Sequence, residues 1–216
     1  MPIVKGFLIL ACFLSSAFLL PSPAYSELYI AGQIGGTFPG DLSDGKGTGS
    51  FSQFTFGDFK MSNSIVYGGK LGYFLESYSW LGFEVDAYST TPHIKQQTVQ
   101  ATPSAIVSQP EVELRVTTVA LNLVFRYPGE TLQPYVGGGP GYFHATGTGD
   151  FTDSTNGVGF NFIAGLRVFL IPHLALFGEY KYFSATFKFD NAFGPGAGIE
   201  EDYSANHFLG GVSYHF

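Results

Sequence analysis

Five histidines, His93, His144, His173, His207 and His215, are the side chains of this sequence best suited to proton transfer near neutral pH. A hydrolytic site would pair one of them with a serine nucleophile and a third group that orients the ring. Ser204 and His207 form the nearest such pair, and no spacing in the chain demands a complete arrangement. His173 falls in a short turn and His215 beside the last residue, so no catalytic residue is predicted. Carboxylates cluster twice, as Asp41, Asp44 and Asp58 and again as Glu200, Glu201 and Asp202. Their oxygens could hold a divalent cation, but neither spacing matches a calcium loop. Solvated loop charge is the expectation, with no metal and no cofactor. Gly35-Gly36 and Gly137-Gly138-Gly139 lack the lysine–serine pair and following helix of a phosphate loop, and suit close strand packing instead.

The remaining charges are few and regularly placed. Charged residues make up 12% of the 216, against roughly a quarter in ordinary soluble domains, while aromatics reach 17% and glycine contributes 29. In a strand, successive side chains point to opposite faces. Lys70 lies with Gly68 and Gly72, opposite Tyr67, Leu71, Tyr73 and Leu75. Glu84 and Asp86 lie with Gly82 and Tyr88, opposite Leu81, Phe83, Val85 and Ala87. Asn122 and Arg126 oppose Val119, Leu121, Leu123 and Phe125; Asn161 and Arg167 oppose Phe160, Phe162, Leu166 and Val168; Glu179 and Lys181 oppose Leu174, Leu176, Tyr180 and Tyr182. One face carries charge of both signs and the other carries none. An unpaired charge in a narrow, poorly hydrated interior costs several kcal/mol. These nine residues are therefore expected to form an interior polar network, with Lys70 paired to the carboxylates of the next strand.

The elements that place these faces are strands. Period-two alternation runs over segments at about 28–38, 64–75, 80–90, 113–127, 133–145, 157–170, 174–187 and 204–216, separated by glycine, proline, asparagine and aspartate clusters. The connections 76–79, 128–132 and 171–173 are short, and 39–62, 91–112, 146–156 and 188–203 are long, as in barrels with a periplasmic and an outer rim. The glycine-rich fifth segment gives no assignment of faces. A soluble barrel would share the period, but its exterior would need about a quarter or more of its surface charged. After the first two dozen residues no apolar run approaches the ~20 residues of a spanning helix, which leaves a closed barrel as the spanning architecture. The predicted fold is all-β, an eight-stranded antiparallel up-and-down transmembrane barrel.

Residues 1–26 read as a cleaved secretory signal, and residues 27–216 as the barrel domain. Lys5 supplies the positive start, Phe7 to Leu20 the apolar stretch, and Ala24 and Ser26 the small-residue cleavage site. Cys12, the only cysteine, lies inside that segment, and lipidation there would strand Phe13 to Leu20 at the mature N-terminus. The mature chain would then contain no thiol, disulfide or cysteine-based metal site. A formal net charge of -7 argues against nucleic acid as a partner.

Pro134-Tyr135-Val136-Gly137-Gly138-Gly139, Leu176-Phe177-Gly178-Glu179-Tyr180-Lys181-Tyr182 and the closing run from Asn206 to Phe216 resemble the OmpA-like small outer-membrane β-barrel superfamily over essentially the whole mature chain. That resemblance implies the bacterial outer membrane as location and outer-membrane lipid and lipopolysaccharide as surroundings. Val212, Tyr214 and Phe216, on one face of the last strand, look like the signal that barrel-assembly machinery reads. Such barrels include structural, adhesive, pore-like and enzymatic members, so fold implies activity only weakly. The His-x-Ser motif that a likeness to lipid A deacylases would require does not occur. The expectation is a non-enzymatic barrel whose long loops serve envelope integrity, adhesion or surface recognition, with an extracellular ligand still to be identified. A narrow pore for small solutes and a lipid A-modifying enzyme are the alternatives.

Overall fold

Alternation of large apolar and small or polar residues, with turn-forming clusters between, gives this chain eight long strands that close on themselves. The computed structural model describes residues 27–40, 43–50, 52–56, 58, 60–94, 97–102, 105–109, 112–148, 152–190 and 196–216. Residues 1–26, read from sequence as a secretory signal and including Cys12, and Asp41 lie outside them. The strands are β1 (Glu27–Pro39), β2 (Ser64–Phe74), β3 (Leu81–Thr90), β4 (Val112–Arg126), β5 (Leu132–Thr148), β6 (Thr152–Ile171), β7 (Leu174–Phe189) and β8 (Ala197–His215). Each pairs antiparallel with the next, and β1 pairs with β8 from Tyr29↔His215 to Pro39↔Ala205, so no barrel strand is left as an edge. Among the described residues there is no helix.

β5 acquires the face assignment its sequence did not supply. Its odd-numbered residues, Gln133, Tyr135, Phe143 and Ala145, are buried in the lumen, and Val136 and Tyr142 face outward. Glycines on both faces of residues 137–141 erase the polarity contrast there. Elsewhere glycine makes room inside: a β-carbon at Gly72 would overlap the Tyr29 ring, and one at Gly165 the Tyr135 ring.

The two faces exchange character part-way up the strands. On β7 the inward residues run Phe177, Glu179, Lys181 and then Phe183, Ala185, Phe187, Phe189, while the outward ones run Leu176, Tyr180, Tyr182 and then Ser184, Thr186, Lys188. On β4 the outward series Phe125, Leu123, Leu121, Val119 gives way to Thr117, Arg115, Glu113 as the inward series turns from Arg126 and Asn122 to Val116 and Leu114. Below the exchange a polar interior sits behind a lipid-facing belt, with Trp80 stacked on Phe125 at 5.9 Å near the rim of short turns. Above it the arrangement is that of a water-soluble sandwich, greasy inside and polar outside.

This inversion corrects the strand limits expected from sequence. β6 begins at Thr152 and β8 at Ala197, well before 157 and 204, and the stretches 39–62 and 91–112 contain the short strands Ser43–Gly49, Thr55–Phe56, His93–Ile94, Gln97–Thr102 and Ala105–Gln109. Their threonines, glycines and charges read as loop, but four of them continue a sheet outward from β8 in the order 43–49, 55–56, 97–102, 105–109, and His93–Ile94 pairs with β4. The β6–β7 ladder stops at Phe160↔Ser184, although β6 goes on pairing with β5 up to Thr152 and β7 with β8 up to Phe189. The barrel therefore divides above that level into two sheets. Leu114, Val116, Phe143 and Ala145 from one sheet pack against Phe183, Phe187, Ile199 and Tyr203 from the other. Phe187 stacks on Tyr203 at 4.6 Å and meets Phe143 at 4.7 Å. Burial of each such ring stabilises the outgrowth by roughly 1.5–3 kcal/mol.

Candidate functional site

β2, β3 and β7 bring their charges to one level of the lumen because their registers set Lys70 beside Asp86 and point Glu179 and Lys181 across the interior. Lys70 Nζ donates to Glu179 Oε2 at 2.5 Å and Glu84 Oε1 at 3.1 Å, and stands 3.7 Å from Asp86 Oδ2. Lys181 Nζ lies 2.6 Å from Asp86 Oδ2 and 3.7 Å from Glu179 Oε1. Tyr29 donates to Glu84 at 2.5 Å, Tyr135 to Glu179 at 2.8 Å, and Gln33 to Asp86 at 2.6 Å. Asn122 donates to Glu84 at 3.2 Å and Asn161 to Asn122 at 2.9 Å. The Arg167 guanidinium lies over the Tyr29 ring at 4.4 Å and the Tyr135 ring at 5.4 Å. Lys70, Lys181 and Arg167 thus face Glu84, Asp86 and Glu179, all buried, so the cluster balances its own charge.

Arg126 belongs to a second cluster at the rim of short turns. Its guanidinium pairs with Glu27 at 2.7 Å, donates to the Ser79 carbonyl at 2.8 Å and to Gln133 at 3.0 Å, and covers the Phe74 ring at 3.6 Å. Here the sequence concealed a serine–histidine–carboxylate chain: His215 Nδ1 bonds Glu27 Oε1, and His215 Nε2 is 2.9 Å from Ser213 Oγ. The neutral ring with its proton on Nδ1 satisfies both contacts, donating to the carboxylate and accepting from the hydroxyl. The order of groups is that of a nucleophilic triad, but Ser213 is wholly buried and Tyr29 and Phe169 pack on the His215 ring, so no substrate carbonyl reaches it. What the chain does is tie the last strand to the first. Two residues apart on β8, Ser213 and His215 share a face; Glu27 joins them only through barrel closure, which spacing along the sequence does not display.

The Ser204–His207 pair does not form. The two residues are three apart on β8 and so point to opposite sides, with His207 in the lumen at 2.9 Å from Thr37 Oγ1. His93 approaches Glu113 at 3.9 Å and His144 approaches Thr146 at 3.3 Å, both toward solvent, and His173 bonds the His215 carbonyl at 2.8 Å. Glu200, Glu201 and Asp202 are strand residues of β8 rather than loop charge; Glu201 is buried inside, and exposed Asp202 accepts from Thr186 at 2.8 Å. Asp44 falls in a short strand and Asp58 is exposed. Among the described residues no three histidine, cysteine or carboxylate side chains group as a metal site would. Val212, Tyr214 and Phe216 share the lipid-facing side of β8, and the Tyr214 and Phe216 rings meet edge-on at 5.0 Å.

A family described as outer membrane protein beta-barrel domain matches residues 9–216. The chain belongs to this outer-membrane barrel family. Its place is therefore the bacterial outer membrane, and its fold is that of the OmpA-like small barrels. Solved structures agree on the fold. Neisserial surface protein A has a TM-score of 0.55 at 14% identity, covering 88% of this chain and 97% of its own. The outer membrane protein OprG from Pseudomonas aeruginosa has a TM-score of 0.57 at 16% identity, covering 90% and 97%. The outer membrane protein AlkL has a TM-score of 0.54 at 18% identity, covering 91% and 93%. No curated protein sequence matches the chain.

Proposed function

We propose that this outer-membrane barrel is a non-enzymatic, non-conducting anchor whose working part is the two-sheet outgrowth beyond the lipid, in a role of surface recognition or adhesion. One observation carries the reading: the lumen is filled at two successive levels, by the Lys70–Glu84–Asp86–Glu179–Lys181 network and above it by the Phe143–Phe187–Tyr203 core. Eight strands leave room for side chains and little else. A channel would need both fillings to part, and a hydrolase would need Ser213 or another nucleophile open to substrate. Reconstitution into planar bilayers tests the first half of the proposal. The expected trace shows no single-channel events; steady unitary conductance would replace this reading with the narrow pore.

A further inference from the structure

Where β6 and β7 part, the outside of the barrel carries a groove of about 560 Å³. Phe160↔Ser184 is the last rung of the ladder between the two strands, and among the described residues β6 has no ladder partner on that side over residues 155–159. Alternate residues of a strand direct their N–H and C=O groups to the same side, so this edge offers main-chain donors and acceptors to the cleft. The β6 wall of the groove is apolar: Val158 and Phe160 are 70% and 55% exposed, and Tyr182 of β7 closes the lower end. The opposite wall, from β7 and β8, presents the hydroxyls of Ser184 and Thr186 and the carboxylate of Asp202, whose Oδ1 accepts from Thr186 at 2.8 Å. No lysine, arginine or histidine lines it, and the lysines nearest in register, Lys46 and Lys188, stand opposite Glu200.

The walls set the chemistry of the occupant. A phosphate or other anion would meet a carboxylate with no cation lining the groove. A plain acyl chain would leave the hydroxyls and the carboxylate unpaired, at the cost that buried polar groups incur without partners. A neutral polar ligand would forgo the charge-assisted bond that Asp202 offers. A lysine or arginine side chain uses every feature: its methylene stem lies on Val158 and Phe160, its cationic head meets the rings of Phe160 and Tyr182, and its N–H groups donate to Asp202, Ser184 and Thr186. The open edge of β6 makes the source a polypeptide, because an extended segment laid along it pairs its backbone by strand addition and turns alternate side chains outward over the groove. The formal net charge of -7 favours the approach of a basic partner. We infer that this groove is the docking site of an extended basic peptide segment of a partner protein, with one lysine or arginine seated against Asp202. The inference rests on the reading of the outgrowth as a recognition element and names the chemistry of what it recognises.

The test is fluorescence polarisation with the full chain folded in a nonionic detergent, using a labelled short peptide of alternating lysine and threonine, its glutamate–threonine counterpart, and spermidine as competitor. The wild type is expected to hold the lysine peptide at least about tenfold more tightly than the glutamate peptide, as one charge-assisted bond implies. Asp202→Asn should remove that preference, Ser184→Phe should block the cleft and abolish binding, and Asp202→Lys should turn the preference toward the glutamate peptide. Glu113→Gln, which changes the net charge equally on the far sheet of the outgrowth, should leave the affinity unaltered. Heat-modifiable gel migration checks that every variant is folded. Equal binding of the two peptides, a preference that survives Asp202→Asn, or an equal loss in Glu113→Gln overturns the site. Spermidine binding as tightly as the peptide overturns the polypeptide source and makes the groove a polyamine site. None of these results bears on conductance, so failure here is distinct from failure of the non-conducting anchor.

Discussion

Lys70 contacts three carboxylates on two strands, so its removal leaves Glu84 without its counter-ion and Lys181 to serve both Asp86 and Glu179. Lys70→Met should cost about 3–5 kcal/mol in urea unfolding from lipid, the usual penalty for breaking a buried pair from one side. Combined with Glu84→Gln, the loss should fall short of the summed single losses by about 1–3 kcal/mol, and strict additivity would show that the two residues do not interact. The cross-strand half of this cluster was legible in sequence, because neighbouring strands fix Lys70 beside Asp86 and Glu84. The shortest contact, to Glu179, was not: it crosses the lumen between strands 109 residues apart, and only barrel radius and stagger decide which opposite residues meet. The Ser213–His215–Glu27 chain was hidden for the same reason. Its burial predicts that a fluorophosphonate probe leaves Ser213 unlabelled in the folded protein; rapid covalent labelling there would favour an enzyme over the proposed anchor.

At the level of elements, the alternation rule identified all eight barrel strands and misjudged where several of them end. The error has a single cause. Period two persists beyond the membrane, but the face that was greasy becomes polar, and Ser154, Asn156, Glu200 and Asp202 then look like punctuation between strands. Ile199 and Tyr203, in step with Ala205 and His207 on the inward face, carried the missing signal, and they pack on the rings of Phe183 and Phe187. If these rings form an independent core, Phe187→Ala should cost about 3–5 kcal/mol and act locally. Hydrogen exchange should speed up at amides 185–189 and 199–203 and leave β2 and β3 protected. Uniform loss of protection along all eight strands would mean that outgrowth and membrane barrel unfold as one unit.

For the whole molecule, a cylinder closed by β1 and β8 holds two fillings in series and wears two surfaces, one suited to hydrocarbon and one to water. Network, core and expected absence of conductance all follow from the level at which those surfaces exchange. Arginine substitution measures that level directly, since a charge facing lipid at mid-bilayer costs about 2–4 kcal/mol and one in water costs nothing comparable. The refolding free energy in lipid vesicles should drop by that amount for Leu121→Arg on β4 and change by less than about 0.5 kcal/mol for Thr186→Arg on β7. Two equal costs, or a harmless arginine at Leu121, would contradict the account.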